Sequence, residues 1–231
     1  MEKINMVITI DGPVASGKST IARLLAQELG FYYLYTGLLY RGLAAILVTH
    51  YGYNETQLKH PRKEDLDALL TGNRFEYRYE DGEPQIYFEG KAITGLLKTR
   101  EVDNWSSISS ADPAVRHAVL ERQVSIGKLY NVVADGRDTG SVVFPDAVCK
   151  IFLTASLEVR AARWQRDQER LGKLFSLDES MQIVAERDER DRTRSHSPLV
   201  QAVDAYVVDN TTLSREETVS IIKAHVLKAL S

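Results

Sequence analysis

The sequence predicts an α/β protein, a parallel sheet flanked by helices with a small antiparallel β insertion. Three observations predict it. Short apolar runs such as "MVITI" (6–10), "VVAD" (132–135) and "KIFLTA" (150–155) alternate with helical patterns. A glycine-rich turn, "GPVASGKST", stands between the first run and the first helical pattern. One segment, 74–94, breaks the rhythm with strict two-residue alternation.

In chain order, "MVITI" is apolar, β-branched and stopped by "DGP", as suits a buried strand. Ile21, Leu24, Leu25 and Leu29 then recur at helical spacing, and Gly30 supplies the stop. "FYYLY" (31–35) is a second strand, after which Thr36 is expected to cap a helix through "GLLYRGLAAILVTHYG". In "RFEYRYEDGEPQIYFEGKAIT", Phe75, Tyr77 and Tyr79 face one way and Arg74, Glu76 and Arg78 the other, with a turn at "EDGEP". "AYVVD" (205–209) is the last of five sheet strands, and "EETVSIIKAHVLKAL" is an amphipathic helix expected to close the fold.

Composition narrows the function. Hydrophobic residues at 44% and charged residues at 26% are ordinary for a globular chain and argue against extensive disorder. A net charge of −3 lacks the basic excess of a general nucleic-acid binder. Cys149 is the single cysteine, so no internal disulfide is possible, and a buried inert thiol is expected. The five histidines show no metal-ligand spacing. No signal-peptide pattern or membrane-length apolar run is evident, and a soluble cytoplasmic protein, not on a membrane, is expected.

Gly12 to Thr20 fits G-x-x-x-x-G-K-[ST] with a strand before it and a helix after it. Glycines let backbone N–H groups converge on phosphate oxygens, and the helix N-terminus adds its positive end. Gly12, Pro13, Val14, Ala15, Ser16, Gly17, Lys18, Ser19 and Thr20 are therefore nucleotide-binding candidates. Lys18 is placed for the β- and γ-phosphates and the Ser19 hydroxyl for Mg²⁺. Thr36, Arg137 and Asp138 follow strand ends, where parallel α/β sheets bind ligands.

With "ITIDGPVASGKST", "TGLLYR", "ADGRDTGSVVFPDA", "KIFLTAS" and "ERDERDRTR" followed by "PLV", the chain resembles the bacterial cytidylate kinase family of nucleoside monophosphate kinases over almost its whole length. The resemblance implies phosphoryl transfer from ATP, with Mg²⁺, to CMP or dCMP, and a monomer is expected. It divides the chain into a kinase core (1–64 and 109–231), a monophosphate-binding insert (65–108) and a lid (158–176). It also assigns Thr36, Ser107, Arg116 and Asp138 to cytosine and pentose. Arg41, Arg137 and Arg194 would hold phosphate charge, Arg187 and Asp191 the pentose, and Arg163 in the lid the ATP. Lys18, Arg137 and Arg194 are the expected catalytic residues.

Two departures stand out. Tyr35 occupies a position where the family usually has aspartate, a residue suited to holding a metal-bound water. Asp11 and Asp138 are the other nearby carboxylates. Trp164 replaces a second lid arginine, although Arg160, Arg163, Arg166 and Arg170 still share one helical arc. In the run "ERDERDRTR" (186–194), a continuous helix would place Arg187, Asp191 and Arg194 within about 60° and turn Glu189 away, one face for the acceptor and one for water. Two other readings share the loop. A shikimate-type kinase is opposed by the hairpin and "DGRD", and a nucleotide switch would show binding with slow hydrolysis at most.

Overall fold

The computed structural model describes residues 5–230. The elements run β1 (Val7–Asp11), α1 (Lys18–Leu29), β2 (Tyr32–Tyr35), α2 (Thr36–Thr49), α3 (Glu55–Leu58), α4 (Lys63–Leu70), β3 (Phe75–Glu80), β4 (Glu83–Phe88), β5 (Lys91–Ala92), α5 (Arg100–Ser109), α6 (Pro113–Leu129), β6 (Val132–Gly136), β7 (Cys149–Thr154), α7 (Leu157–Glu169), α8 (Leu177–Thr193), β8 (Tyr206–Asp209) and α9 (Arg215–Ala229). Two sheets form, one five-stranded in the order β2-β6-β1-β7-β8 and one three-stranded, β3-β4-β5. The chain divides into two compact units, one of 32–132 with Asn5, the other of 6–31 and 133–230.

The second unit carries the glycine-rich loop. β1 is buried along its length because every residue of "VITID" has protein on both faces. β7 pairs with it in parallel from Ile8↔Cys149 to Asp11↔Phe152, and β8 pairs in parallel with β7. Helices cover these strands with apolar stripes, Ile21, Ala22, Leu25 and Ala26 from α1 and Val219, Ile222 and Val226 from α9. Gly30, at φ 67°, ends α1 by donating its N–H to the Ala26 and Gln27 carbonyls. Cys149 is buried and unpaired, and burial pushes its thiol up to about 11, as the inert reading requires.

In the first unit, α2 buries Leu38, Leu39, Leu43, Ile46 and Leu47. Gly42 lets the hairpin close on this helix, since a Cβ there would lie 2.9 Å from Phe75 and 3.0 Å from Ile86. The hairpin pairs Phe75↔Phe88 to Glu80↔Glu83 around Asp81 and Gly82, both at positive φ as a tight two-residue turn demands. Its faces follow the alternation. Tyr77 and Tyr79 lean on the rings of Tyr32 and Tyr33's neighbourhood, while Arg78 pairs with Glu76 and Glu80. The Tyr77 hydroxyl donates to the Tyr33 carbonyl and accepts the Tyr35 N–H, both at 2.8 Å. Thr36 does not cap α2. Tyr35 holds the N-cap with extended backbone, because the strand passes into the helix with no residue between, and Thr36 is already helical.

Candidate active site

The loop between β1 and α1 is shaped by close approach. A Cβ on Gly12 would fall 2.1 Å from the Leu153 carbonyl oxygen. Gly17 takes φ 90° at the N-cap of α1. Lys18 folds back and donates to the Pro13 carbonyl at 3.0 Å. Burial holds its ammonium well below the usual lysine range, helped by the Arg137 charge and opposed by Asp135.

Ser19 donates its hydroxyl to Asp135 at 2.6 Å. Asp135 lies one residue from the carboxyl end of β6 and is 1% exposed. This hydroxyl–carboxylate pair, all hard oxygen, suits Mg²⁺. Sequence reasoning missed Asp135 and considered Asp11 and Asp138 instead. Asp11 is occupied structurally: it accepts the Thr139 N–H and hydroxyl and the Gly140 N–H, at 2.6–2.9 Å. Burial nevertheless pushes its carboxyl up to about 6. The legible signal for Asp135 was an acid closing the fully apolar run "VVAD" at the strand's carboxyl end.

Two arginines and two aspartates gather beside the loop. Arg137 donates Nε to Asp191 at 2.7 Å. Arg194 lies 3.5 Å from Asp138 and 3.9 Å from Asp191. Burial resists ionisation of Asp191, but Arg137, with Arg187 and Arg194 behind it, wins and holds the carboxyl below the usual aspartate range. Arg194 reaches this group from outside the helix. α8 ends at Thr193 and Arg194 caps it with extended backbone, so the helical projection of Arg194 does not apply. Along the rest of the run, Arg187 and Asp191 are half-buried and Glu189 is exposed.

Asp188, unremarked in the sequence, is buried and accepts the Val14 N–H at 2.9 Å. Arg160 pairs with Asp188 and donates to the Val14 carbonyl at 3.0 Å, a buried role unlike that of Arg166 and Arg170 on the same arc. Arg163 donates to the Ser16 carbonyl and to Asn210, whose amide also binds Ser16. Arg166 and Arg170 are exposed.

The first unit places Arg41, Thr36, Ser107 and Arg116 within itself. Arg41 donates Nε to Asp103 at 2.7 Å and Nη1 to the Tyr35 hydroxyl. Thr36 and Arg116 are buried, and Arg116 lies 5.4 Å over the Tyr40 ring and bonds the Ser110 carbonyl. The Ser107 carbonyl accepts from Ser110. Among the described residues, no group of three or more His, Cys, Asp or Glu could hold a metal, and no helix is long and apolar enough to cross a membrane.

Residues 8–228 match the family described as cytidylate kinase. A cytidylate kinase from Marinomonas sp. is 41% identical over 224 residues, 96% of either chain. One from Klebsiella pneumoniae is 39% identical over 213 residues, 92% of this chain and 91% of that protein. A solved shikimate kinase from Acinetobacter baumannii in complex with shikimate shares 14% identity at a TM-score of 0.47, over 97% of this chain and 94% of that one. With a family match across nearly its whole length and relatives at about 40% identity, the chain belongs to the cytidylate kinase family.

Proposed function

We propose that the protein transfers the γ-phosphoryl group of ATP to CMP or dCMP, giving CDP or dCDP and ADP. The observation that carries this reading is the gathering of Lys18, the Ser19–Asp135 pair and the Arg137–Asp191 pair around one phosphate loop in a chain of this family.

Phosphoryl transfer needs alignment and charge neutralisation more than covalent help. In this reading the loop from Gly12 to Thr20 takes the phosphates of ATP through its N–H groups. Lys18 leaves the Pro13 carbonyl to meet charge that develops between the β- and γ-phosphates. Ser19 and Asp135 are the residues that would hold Mg²⁺, which supplies further neutralisation there.

On the acceptor side, Arg137 and Arg194 neutralise phosphate charge, and Arg187, Asp191 and Asp138 hold the pentose and base. Thr36, Arg41, Ser107 and Arg116 are assigned to the acceptor nucleotide on the strength of the family resemblance. Asp138 as acceptor and the arginines as donors match the exocyclic amine and ring acceptors of cytosine. The segment 65–108 serves as the monophosphate-binding insert and 158–176 as the lid, with Arg163 its ATP contact. Closure there excludes water and limits hydrolysis. We place the protein in the cytoplasm, as a monomer.

A coupled ADP-release assay with CMP, dCMP, UMP, AMP, GMP and shikimate tests the reading. CMP or dCMP is expected to turn over far faster than AMP, GMP or shikimate. Equal turnover of AMP or shikimate refutes the cytidylate assignment, and slow hydrolysis with no acceptor refutes the kinase.

A further inference from the structure

Arg41 is an arginine with two of its three nitrogens already spent. On α2, its Nε donates to Asp103 of α5 at 2.7 Å, and its Nη1 donates to the Tyr35 hydroxyl. Its guanidinium carbon lies 5.5 Å from the Tyr35 ring centroid. Nη2 has no partner among the described residues, and the side chain keeps 22% of its surface.

Tyr35 is itself held fast. Its N–H donates to the Tyr77 hydroxyl at 2.8 Å, and its ring lies parallel to that of Tyr33, 5° apart in plane and 6.2 Å between centroids. Gly37 lies so close beneath the ring that an added Cβ would stand 3.0 Å from it. A rigid hydroxyl thus meets one edge of a flexible guanidinium while a carboxylate meets another. A long side chain tied at two nitrogens has surrendered its rotamer freedom before any ligand arrives. It also stays charged. Burial works against the cation, but the oxygens of Tyr35 and Asp103 outweigh it and raise the guanidinium above its usual range.

We propose that Tyr35 and Asp103 are positioning residues for Arg41, aiming its open Nη2 edge at the phosphate of the acceptor nucleotide. The inference rests on the reading of Arg41 as an acceptor-phosphate residue and deepens it. It gives a role to the tyrosine that stands where the family usually has aspartate: its ring hydroxyl, at β2's last residue, reaches the arginine six positions on in α2. Asp103, half-exposed on α5, had no place in the sequence reading.

The test is steady-state kinetics of Tyr35→Phe, Asp103→Asn, Arg41→Ala and the Tyr35→Phe/Arg41→Ala pair, with the fold of each checked by circular dichroism and melting. Tyr35→Phe keeps the stacked ring and removes only the hydroxyl. It is expected to raise KM for CMP about 3- to 10-fold, the range for one lost hydrogen bond, and to leave KM for ATP alone. Asp103→Asn is expected to act in the same direction. In the Arg41→Ala background, Tyr35→Phe is expected to cost nothing more, which a merely structural tyrosine would not obey. The positioning role is overturned if Arg41→Ala raises KM for CMP while Tyr35→Phe and Asp103→Asn do not, or if the Tyr35 and Arg41 effects add in full. If Arg41→Ala itself leaves KM for CMP unchanged, the acceptor role of Arg41 fails, and the positioning role with it.

Discussion

Asp188 and Arg160 form a buried ion pair that grips both polar groups of one residue, Val14. Asp188 accepts the Val14 N–H and Arg160 donates to the Val14 carbonyl. The pair ties α7 and α8 to the glycine-rich loop. Removing one member leaves the other charged, buried and unpaired. Asp188→Ala is therefore expected to destabilise the protein by about 3–5 kcal/mol, and the Arg160→Met/Asp188→Leu double replacement by markedly less. Urea unfolding at neutral pH checks this, and equal losses in the two variants would contradict it.

Lys18→Ala should leave a folded protein with little activity. Lys18 folds over the loop to the Pro13 carbonyl, and its charge matters most when the transferring group is most negative. A loss on the order of 100- to 1,000-fold is expected in kcat, with a smaller change in KM for ATP. Wild-type kcat in the folded variant would remove Lys18 from the chemistry.

Asp135→Asn isolates the carboxylate behind Ser19. The amide keeps the shape and loses the charge. The Mg²⁺ concentration giving half-maximal rate is expected to rise about 10- to 100-fold, as when a group supporting a metal is neutralised. Titration of Mg²⁺ at saturating ATP reads this directly, and an unchanged midpoint would exclude Asp135 from the metal site.

Asp191→Ala and Glu189→Ala separate the two faces of "ERDERDRTR". Loss of a hydrogen bond to a charged group typically costs about 1.5–3 kcal/mol, or roughly 10- to 150-fold in kcat/KM. Asp191→Ala should lose that much with CMP and little with ATP, whereas exposed Glu189→Ala should match wild type. Identical CMP kinetics in the two folded variants would end the distinction.

Asp11 gives stability a pH dependence of unusual sign. Its carboxyl sits at about 6 in the folded chain against an ordinary 3.8. Between those values the folded chain keeps a proton that the unfolded chain has lost, so stability falls as pH rises. Two pKa units correspond to about 3 kcal/mol. Asp11→Asn cannot ionise, so its stability relative to wild type should grow by about 2 kcal/mol from pH 4 to 6.5. Parallel pH profiles in urea unfolding would contradict the assignment.

The parts visible in the sequence were those written in local patterns. Strict alternation exposed the hairpin, Asp81–Gly82 its turn, and the loop from Gly12 to Thr20 announced itself by glycine spacing. What stayed hidden depended on chain-distant partners. Ser19 and Asp135 are 116 positions apart, and only the sheet brings the end of β6 to the loop. Asp188 sits between Arg187 and Glu189 with nothing local to mark it, because only its full burial distinguishes it from its half-buried and exposed neighbours. Arg160 read as part of a charged arc for the same reason. Helical projection carried Arg187 and Asp191 correctly but ran past the true end of α8 at Arg194.

The lone cysteine has a practical consequence. Cys149 is buried, with a thiol raised to about 11, so maleimide at neutral pH should pass it by. Leu174 lies in the turn between α7 and α8 and is 86% exposed. A Leu174→Cys variant therefore offers dye chemistry a single address with the rest of the protein untouched. A fluorophore attached there would watch this turn in real time as each nucleotide is added, with unlabelled background already absent from the wild-type chain.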